Sequence, residues 1–136
     1  MSENETSQAS AQPFSELPLA PAVLANLTQL DYLTMTPIQA ASLPLALAGH
    51  DLIAQAKTGS GKTAAFALAL LHNLNPRRFA VQAMVLCPTR ELADQVTQEI
   101  RRLARFEENI KVLSLVGGST LRNQATSLEN GVHVVV

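Results

Sequence analysis

The residues best suited to chemistry lie in one short segment, AKTGSGKT, between an apolar run and residues that favour a helix. Gly59 and Gly61 allow backbone conformations that point successive N–H groups at a phosphate. Lys62 can reach the β and γ phosphates of a nucleotide, and the Thr63 hydroxyl can bind Mg²⁺. The segment therefore predicts a phosphate-binding loop, with Lys62 and Thr63 as catalytic residues, formed by Ala56, Lys57, Thr58, Gly59, Ser60, Gly61, Lys62 and Thr63.

The alternative for this segment is a glycine-containing turn between a strand and a helix, with a surface lysine. Ala56 stands where the general GxxxxGK[ST] pattern has its first glycine, while Gly61, Lys62 and Thr63 stand where the pattern requires them. In the phosphate-loop interpretation Lys62 projects toward solvent, so its replacement by alanine would leave the fold intact.

A second candidate segment, PTRELA from Pro88 to Ala93, follows another apolar run. Thr89 has a side chain suited to a helix N-cap, and Arg90 then falls in the first helical turn. Open N–H groups at a helix start and a nearby arginine can bind a phosphodiester without contacting the bases. A solvated arginine beside a capped helix end is the simpler alternative, and the segment alone leaves both open.

The elements that must position these segments alternate between strands and helices. Apolar runs predict strands at 52–56, 83–87, 111–116 and 132–136. Spacing and composition predict helices at 19–30, 37–47, 64–74, 90–106 and 121–128. On the fourth helix Leu92, Val96, Ile100 and Leu103 form one apolar stripe. Because strands that are apolar throughout are covered on both faces, this alternation predicts an α/β domain with a parallel sheet flanked by helices.

The chain of 136 residues has the length of about one domain, and 47% of its residues are hydrophobic, enough to build a core. Residues 1–13 are polar and lack periodicity, which predicts a disordered tail before a domain over residues 14–136. The sequence stops inside the apolar run VHVVV, whereas native termini usually lie in polar segments. We therefore expect a domain that is truncated on its C-terminal side.

Composition excludes several other classes. No apolar run approaches the roughly 18 residues of a membrane span, and the start lacks signal-peptide features, so we expect a cytoplasmic protein without membrane association. The single cysteine, Cys87, excludes an internal disulfide and is expected to be a small buried residue. All ten lysines and arginines follow residue 56, which is compatible with a polyanionic partner. Arg102 is nevertheless expected to pair with Glu99.

Four segments resemble the motifs of a known family in order and spacing. TMTPIQ (34–39), AKTGSGKT (56–63), PTRELA (88–93) and the glycines at 117–118 look like those of the first RecA-like domain of a DEAD-box RNA helicase, most like the bacterial DbpA type. In that family alanine is normal at the position of Ala56. The resemblance implies a RecA-like P-loop fold, ATP and Mg²⁺ as cofactors and RNA as the partner. For the full-length protein we expect ribosomal RNA as the target. The sequence leaves the oligomeric state open, with a monomer as the expectation.

The resemblance also implies roles in nucleotide binding. Gln39 would bind the adenine edge, because an amide offers one donor and one acceptor to N6 and N7. Phe14, 17 residues before Asp31, would stack near the base, and Thr36 would brace the phosphate loop. Without the resemblance Gln39 would be a polar residue on a helix. Asp31 and Met35 replace a glycine and a proline of the family pattern, which leaves the local turn open.

For RNA, the resemblance implies that Pro88, Thr89 and Arg90 contact the phosphodiester backbone. Gly117 and Gly118 would offer a second backbone contact. An arginine presented in this way would bind different sequences alike, since phosphates carry no sequence information.

The DEAD tetrapeptide that names the family is missing from these 136 residues, together with the second RecA-like domain. Phosphoryl transfer to water requires an acid to help hold Mg²⁺ and a group to orient the water. This chain alone is therefore expected to lack ATP hydrolysis and strand separation, which its full-length parent would perform. A non-catalytic nucleotide- or RNA-binding module and an unrelated P-loop kinase or small GTPase are the alternatives.

Overall fold

The protein is described by a computed structural model that covers residues 11–118 and 120–136. Most of the predicted tail, residues 1–10, lies outside the described residues. The sheet consists of three parallel strands in the order β1-β3-β2, with the bounds β1 Ala83–Met84, β2 Val112–Leu113 and β3 Val134–Val135. The strands are shorter than predicted, although bonds from Val85 N to Val135 O (2.9 Å) and from Leu115 N to Val136 O (2.8 Å) extend the pairing.

Five α-helices accompany the sheet in the described residues, with the bounds α1 Pro21–Gln29, α2 Pro37–Leu47, α3 Lys62–His72, α4 Arg90–Leu103 and α5 Leu121–Glu129. Single turns of 3₁₀ helix lie at Phe14–Glu16 and Ala104–Phe106. Proline occupies the first position of α1 and α2, where its missing N–H costs no hydrogen bond. The predicted helices are therefore present, and the one predicted at 90–106 ends in a tighter turn.

The core lies between these helices and the sheet. Helix α2 packs against α3, and α3 packs against α4. The side chains buried most completely include Leu27, Leu43, Leu68, Ile100 and Val134. On α4 the buried face includes Ala93 and Val96, whereas Leu92 of the predicted stripe is 38% exposed. The stripe prediction is wrong at this position because Leu92 lies one residue before the face that meets the core.

The predicted strand at 52–56 is not formed. No backbone hydrogen bond joins this segment to β1, β2 or β3 among the described residues, and Ile53 is fully exposed. A strand exists only where its backbone groups pair with a neighbour, and an apolar composition cannot supply one. The phosphate-loop segment therefore follows an unpaired segment instead of a paired strand.

The two departures from the family pattern have clear structural consequences. Asp31 adopts the left-handed conformation, with φ of 62°, that glycine favours and that aspartate tolerates better than most residues. Hydrogen bonds from Asp31 N to Thr28 O and from Tyr32 N to Leu27 O then close a Schellman motif at the end of α1. Met35 donates its N–H to Gln12 O (2.7 Å), a bond that a proline cannot make.

Part of the predicted tail pairs with the rest of the chain. Pro13 forms an isolated antiparallel bridge with Thr34, next to the bond between Met35 and Gln12. Gln12 and Pro13, which the sequence analysis assigned to the tail, therefore belong to the folded part. In the described residues no helix has both the length and the apolar character needed to cross a bilayer.

Two buried polar side chains connect distant parts of the chain. The Asn26 amide nitrogen donates to Arg102 O and Leu103 O, both at 3.1 Å, and so satisfies carbonyls at the C-terminus of α4. His133 is fully buried; its Nδ1 accepts from Lys111 N (3.0 Å) and its Nε2 donates to Pro76 O (2.9 Å). Both side chains therefore meet the requirement that buried polar groups be paired.

Candidate functional site

The loop before α3 has the backbone of an anion-binding turn. Gly59 and Gly61 both lie in the left-handed region, with φ of 80° and 88°. Helix α3 begins at Lys62 with Gly61 as N-cap, and no side chain caps its first N–H groups. Open donors and the positive end of the helix dipole therefore face the same space, which suits a phosphate.

Gln39 connects the start of α2 to this loop. Its side chain is 1% exposed. Its Oε1 accepts from Thr36 N (2.9 Å), as in one half of a capping box, and its Nε2 donates to Gly61 O (3.1 Å). Both ends of the amide that was expected to bind adenine are thus already occupied, Oε1 by Thr36 N at the start of α2 and Nε2 by Gly61 O in the loop, so an adenine contact requires a change of partners.

Two hydroxyl groups beside the loop lack partners among the described residues. Thr36 Oγ1 and Ser60 Oγ are both buried and make no hydrogen bond. Thr36 Oγ1 would lie 2.9 Å from a Cβ added at Gly61, so it lies directly against the loop that it was predicted to brace. Buried polar atoms without partners are costly, which suits a region where a polar ligand supplies the missing bonds.

The two predicted catalytic side chains start α3. Lys62 is half-buried, and its Nζ donates to Ala56 O across the loop. The prediction that Lys62 projects toward solvent is therefore wrong; the ammonium group gains a charge-assisted hydrogen bond to a carbonyl by folding back. Thr63, the predicted Mg²⁺ ligand, is half-buried in the first turn of the helix.

A cavity of about 810 Å³ lies beside the loop and extends along α3 and α4. Thr58, Gly59, Gly61, Lys62 and Thr63 contribute to its wall, so the loop faces a space larger than a single phosphate. Cys87 also lines it and is half-buried, less buried than the sequence suggested.

Phe14 lies in the core. Its side chain is 2% exposed, and its ring meets that of Tyr32 edge on, with centroids 6.1 Å apart and planes at 89°. Phe14 N donates to Leu33 O (3.2 Å), which ties the 3₁₀ turn to the chain leading into Gln39. Its stacking near a base stays a prediction.

Tyr32 connects the chain before Gln39 to α4, a link that no motif in the sequence indicated. Its hydroxyl donates to Glu99 Oε1, while Arg102 donates to Glu99 Oε2 at 2.8 Å. The predicted pairing of Arg102 with Glu99 is thus confirmed. Burial, followed by the hydrogen bond to Glu99, raises the pKa of Tyr32 to about 12.

This raised pKa predicts a stability change in alkali. The folded chain holds the Tyr32 proton more tightly than the unfolded chain, whose tyrosine pKa is about 10. The Tyr32 contribution is therefore complete below pH 10 and is lost as the pH rises toward 12. Tyr32→Phe should lower the unfolding free energy at pH 7 by about 1 kcal/mol, from the lost hydrogen bond.

Urea unfolding of both proteins between pH 7 and pH 12 measures this effect. The stability difference between wild type and Tyr32→Phe should shrink above pH 10, because the phenylalanine variant cannot lose the proton. All other side chains are the same in the two proteins, so the difference isolates Tyr32. A difference that stays constant or grows above pH 10 would contradict the assigned contact.

The segments predicted to bind RNA meet at one end of the sheet. Thr89 Oγ1 accepts from Leu92 N (3.2 Å), which confirms it as the N-cap of α4. Arg90 is exposed, and its Nη1 donates to Gly117 O (3.0 Å). Pro88 and Gly118 are exposed beside them. The segments containing Arg90 and Gly117 follow β1 and β2, and the carboxyl ends of parallel strands meet at one edge, where ligands commonly bind.

The chain also resembles known proteins. A family model described as DEAD/DEAH box helicase matches residues 36–136. The ATP-dependent RNA helicase DbpA of Escherichia coli is 59% identical over 118 residues, which are 87% of this chain and 26% of that protein. The ATP-dependent RNA helicase DeaD of Buchnera aphidicola is 46% identical over 123 residues, 90% of this chain and 20% of that protein.

Solved structures of DEAD box proteins also resemble this chain. A DEAD box protein from Methanococcus jannaschii superposes with a TM-score of 0.85 at 37% identity, over 91% of this chain and 34% of that chain. Dbp5 of S. cerevisiae, bound to RNA and ADP BeF₃, gives a TM-score of 0.80 at 34% identity, over 93% of this chain and 32% of that chain. The predicted RecA-like fold with a parallel sheet is thus confirmed. The chain spans about a fifth to a quarter of the length of the curated relatives given above.

Proposed function

The chain belongs to the DEAD/DEAH box helicase family, and from this premise we propose that it forms the ATP-binding and part of the RNA-binding surface of an ATP-dependent RNA helicase. The contact between Gln39 Nε2 and Gly61 O carries the proposal. It brings a side chain suited to an adenine edge to the helix start suited to a triphosphate, 22 residues further along the chain.

In this proposal the nucleotide phosphates bind the open N–H groups between Gly59 and Thr63. Lys62 leaves Ala56 O to reach the β and γ phosphates, Gln39 exchanges a partner for the adenine edge, and Phe14 lies near the base. The residues present fit the cofactors, since two left-handed glycines open the loop and Thr36 and Ser60 hold unpartnered hydroxyls beside it. Thr63 would hold Mg²⁺, which neutralises charge on the phosphates when bound.

RNA would bind at the other two segments. Pro88, Thr89 and Arg90 would contact the phosphodiester backbone at the start of α4, and Gly117 and Gly118 would add a second contact. The single hydrogen bond between Arg90 and Gly117 supports this proposal, because it joins segments 27 residues apart into one surface. We further propose that the full-length protein acts on ribosomal RNA, that it is a monomer and that it is located in the cytoplasm.

Coupling between the two ligands follows from their shared domain. In the full-length protein, nucleotide and RNA would jointly favour a closed arrangement with a second domain, so each ligand would raise the affinity for the other. The present 136 residues contain no DEAD tetrapeptide. We therefore propose that they bind both ligands without hydrolysing ATP.

Calorimetric titration with ATP and with GTP, each with Mg²⁺, tests this function. The chain should bind ATP at least tenfold more tightly than GTP, because guanine presents a carbonyl acceptor where adenine presents the N6 donor. Equal affinities, or no binding by a chain that far-UV circular dichroism shows to be folded, would refute the adenine site. ATP turnover stimulated by RNA would contradict the absence of hydrolysis.

A further inference from the structure

The two neighbouring glycines that follow β2 are not equivalent. Gly118 has a φ of 87°, a conformation that side-chain-bearing residues rarely adopt. A Cβ added at Gly118 would lie 2.4 Å from Arg90 Nη1 and 3.6 Å from Arg90 Cζ. A Cβ added at Gly117 would meet nothing within 4 Å. The close approach of the Arg90 guanidinium therefore requires a glycine at position 118 and not at position 117.

The guanidinium occupies the space left by the missing side chain. From there Nη1 donates to Gly117 O at 3.0 Å, across a turn that also contains Gly118. Arg90 is otherwise exposed, and in the part of the chain that the structure describes it forms no salt bridge with Glu91 or with Asp94, the nearest acidic residues along α4. One of the five guanidinium N–H groups is thus used to orient the plane, and the others stay available to a ligand.

We propose that Gly118 is a positioning residue for Arg90, and that its main effect on RNA binding acts through the guanidinium, beyond the backbone contact proposed above. The proposal rests on the proposed function, in which Arg90 binds a phosphodiester. A guanidinium held in one orientation loses less conformational entropy on binding, and its planar fork matches two phosphate oxygens. Displacing it with a Cβ at position 118 would remove this advantage while leaving the arginine in the chain.

A double-mutant cycle tests the proposal by comparing Arg90→Ala, Gly118→Ala and the double variant. Binding to oligouridine and to oligoadenine RNA of ten nucleotides is measured by fluorescence anisotropy at several salt concentrations. Arg90→Ala should weaken binding to both RNAs about tenfold and lower the salt slope by about 0.7, as expected for one lost single-strand phosphate contact. Gly118→Ala should weaken binding about fivefold in the wild-type background and less than twofold in the Arg90→Ala background.

Backbone strain is separated from displacement of Arg90 by two further variants. Gly49→Ala places a side chain at a similar φ of 90°, with nothing within 4 Å, so it should leave RNA binding unchanged. Gly118→Asn relieves the strain, since asparagine tolerates this conformation, but still carries a Cβ. Gly118→Asn should therefore weaken RNA binding as much as Gly118→Ala, and it provides the test if the alanine variant does not fold.

The positioning is also measured without RNA. The guanidinium ¹⁵N resonances of Arg90 should show restricted rotation in the wild-type chain and free rotation in Gly118→Asn. Unchanged guanidinium resonances in Gly118→Asn would overturn the positioning role. So would additive losses of RNA affinity, in which the double variant loses as much as the two single variants together. If Arg90→Ala leaves RNA affinity unchanged while Gly118→Asn frees the guanidinium, the RNA role of Arg90 fails and the local geometry stands.

Discussion

Gly61→Ala should destabilise the fold by about 2–5 kcal/mol, because two separate costs coincide at this position. The φ of 88° is a left-handed conformation in which an alanine costs roughly 1–2 kcal/mol. The new Cβ would also lie 2.5 Å from Gln39 Nε2 and 2.9 Å from Thr36 Oγ1. The buried Gln39 amide must then leave Gly61 O, which adds about 1–3 kcal/mol for an unsatisfied polar group.

Gly49→Ala is the matched control for this prediction. Gly49 has a φ of 90° but an added Cβ would meet nothing within 4 Å, so only the backbone cost of about 1–2 kcal/mol remains. Urea unfolding of both variants gives the two free energies. The loss of unfolding free energy in Gly61→Ala beyond that in Gly49→Ala measures the close approach of Gln39 to the loop. Equal losses in the two variants would show that Gln39 does not bind Gly61 in solution.

Local sequence signals predicted the helices well. Pro37 and Leu47 bound α2 as expected, since proline favours the first helical position and Gly49 follows the helix. Thr89 caps α4 at the predicted residue. Each of these signals acts within one or two helical turns, so the residues that carry it are adjacent in the sequence.

Strand pairing was harder to predict, because it depends on distant neighbours. The apolar run at 52–56 has the composition of a buried strand, yet no strand pairs with it in the described residues. The runs at 83–87, 111–116 and 132–136 do contain paired strands, but each has only two residues with strand geometry. Apolar composition therefore located three strands and could not determine their extent or the absence of the fourth.

The candidate site also combines local features, which the sequence predicts, with long-range contacts, which it does not. The spacing of Gly59 and Gly61 predicts a left-handed loop directly, because both requirements lie within a few residues. The contacts that assemble the site join Gln39 to Gly61, Arg90 to Gly117 and Tyr32 to Glu99, across 22, 27 and 67 residues. The family resemblance indicated which residues matter, but only the fold shows that Gln39 binds the loop and that Arg90 lies over Gly118.

Lys62→Ala should reduce ATP affinity about 100-fold, the second large effect expected here. An ammonium group that binds both terminal phosphates contributes about 1.5–3 kcal/mol per charge-assisted hydrogen bond, and each 1.4 kcal/mol is tenfold in affinity. In the described structure Lys62 binds Ala56 O, and the same side chain must move to the phosphates. The fold should change little, because Lys62 is half-buried at a helix start and leaves no apolar cavity when truncated.

Lys111→Ala is the control for this loss of charge. Lys111 is exposed before β2, it does not line the cavity beside the phosphate loop, and its Nζ lies 5.7 Å from the centre of the Phe79 ring. The variant removes the same positive charge, so a long-range effect on ATP would appear in both proteins. Calorimetric titration should show the 100-fold loss for Lys62→Ala alone. Similar ATP affinities in the two variants, with circular dichroism confirming both folds, would mean that the ammonium of Lys62 stays on Ala56 O when nucleotide binds.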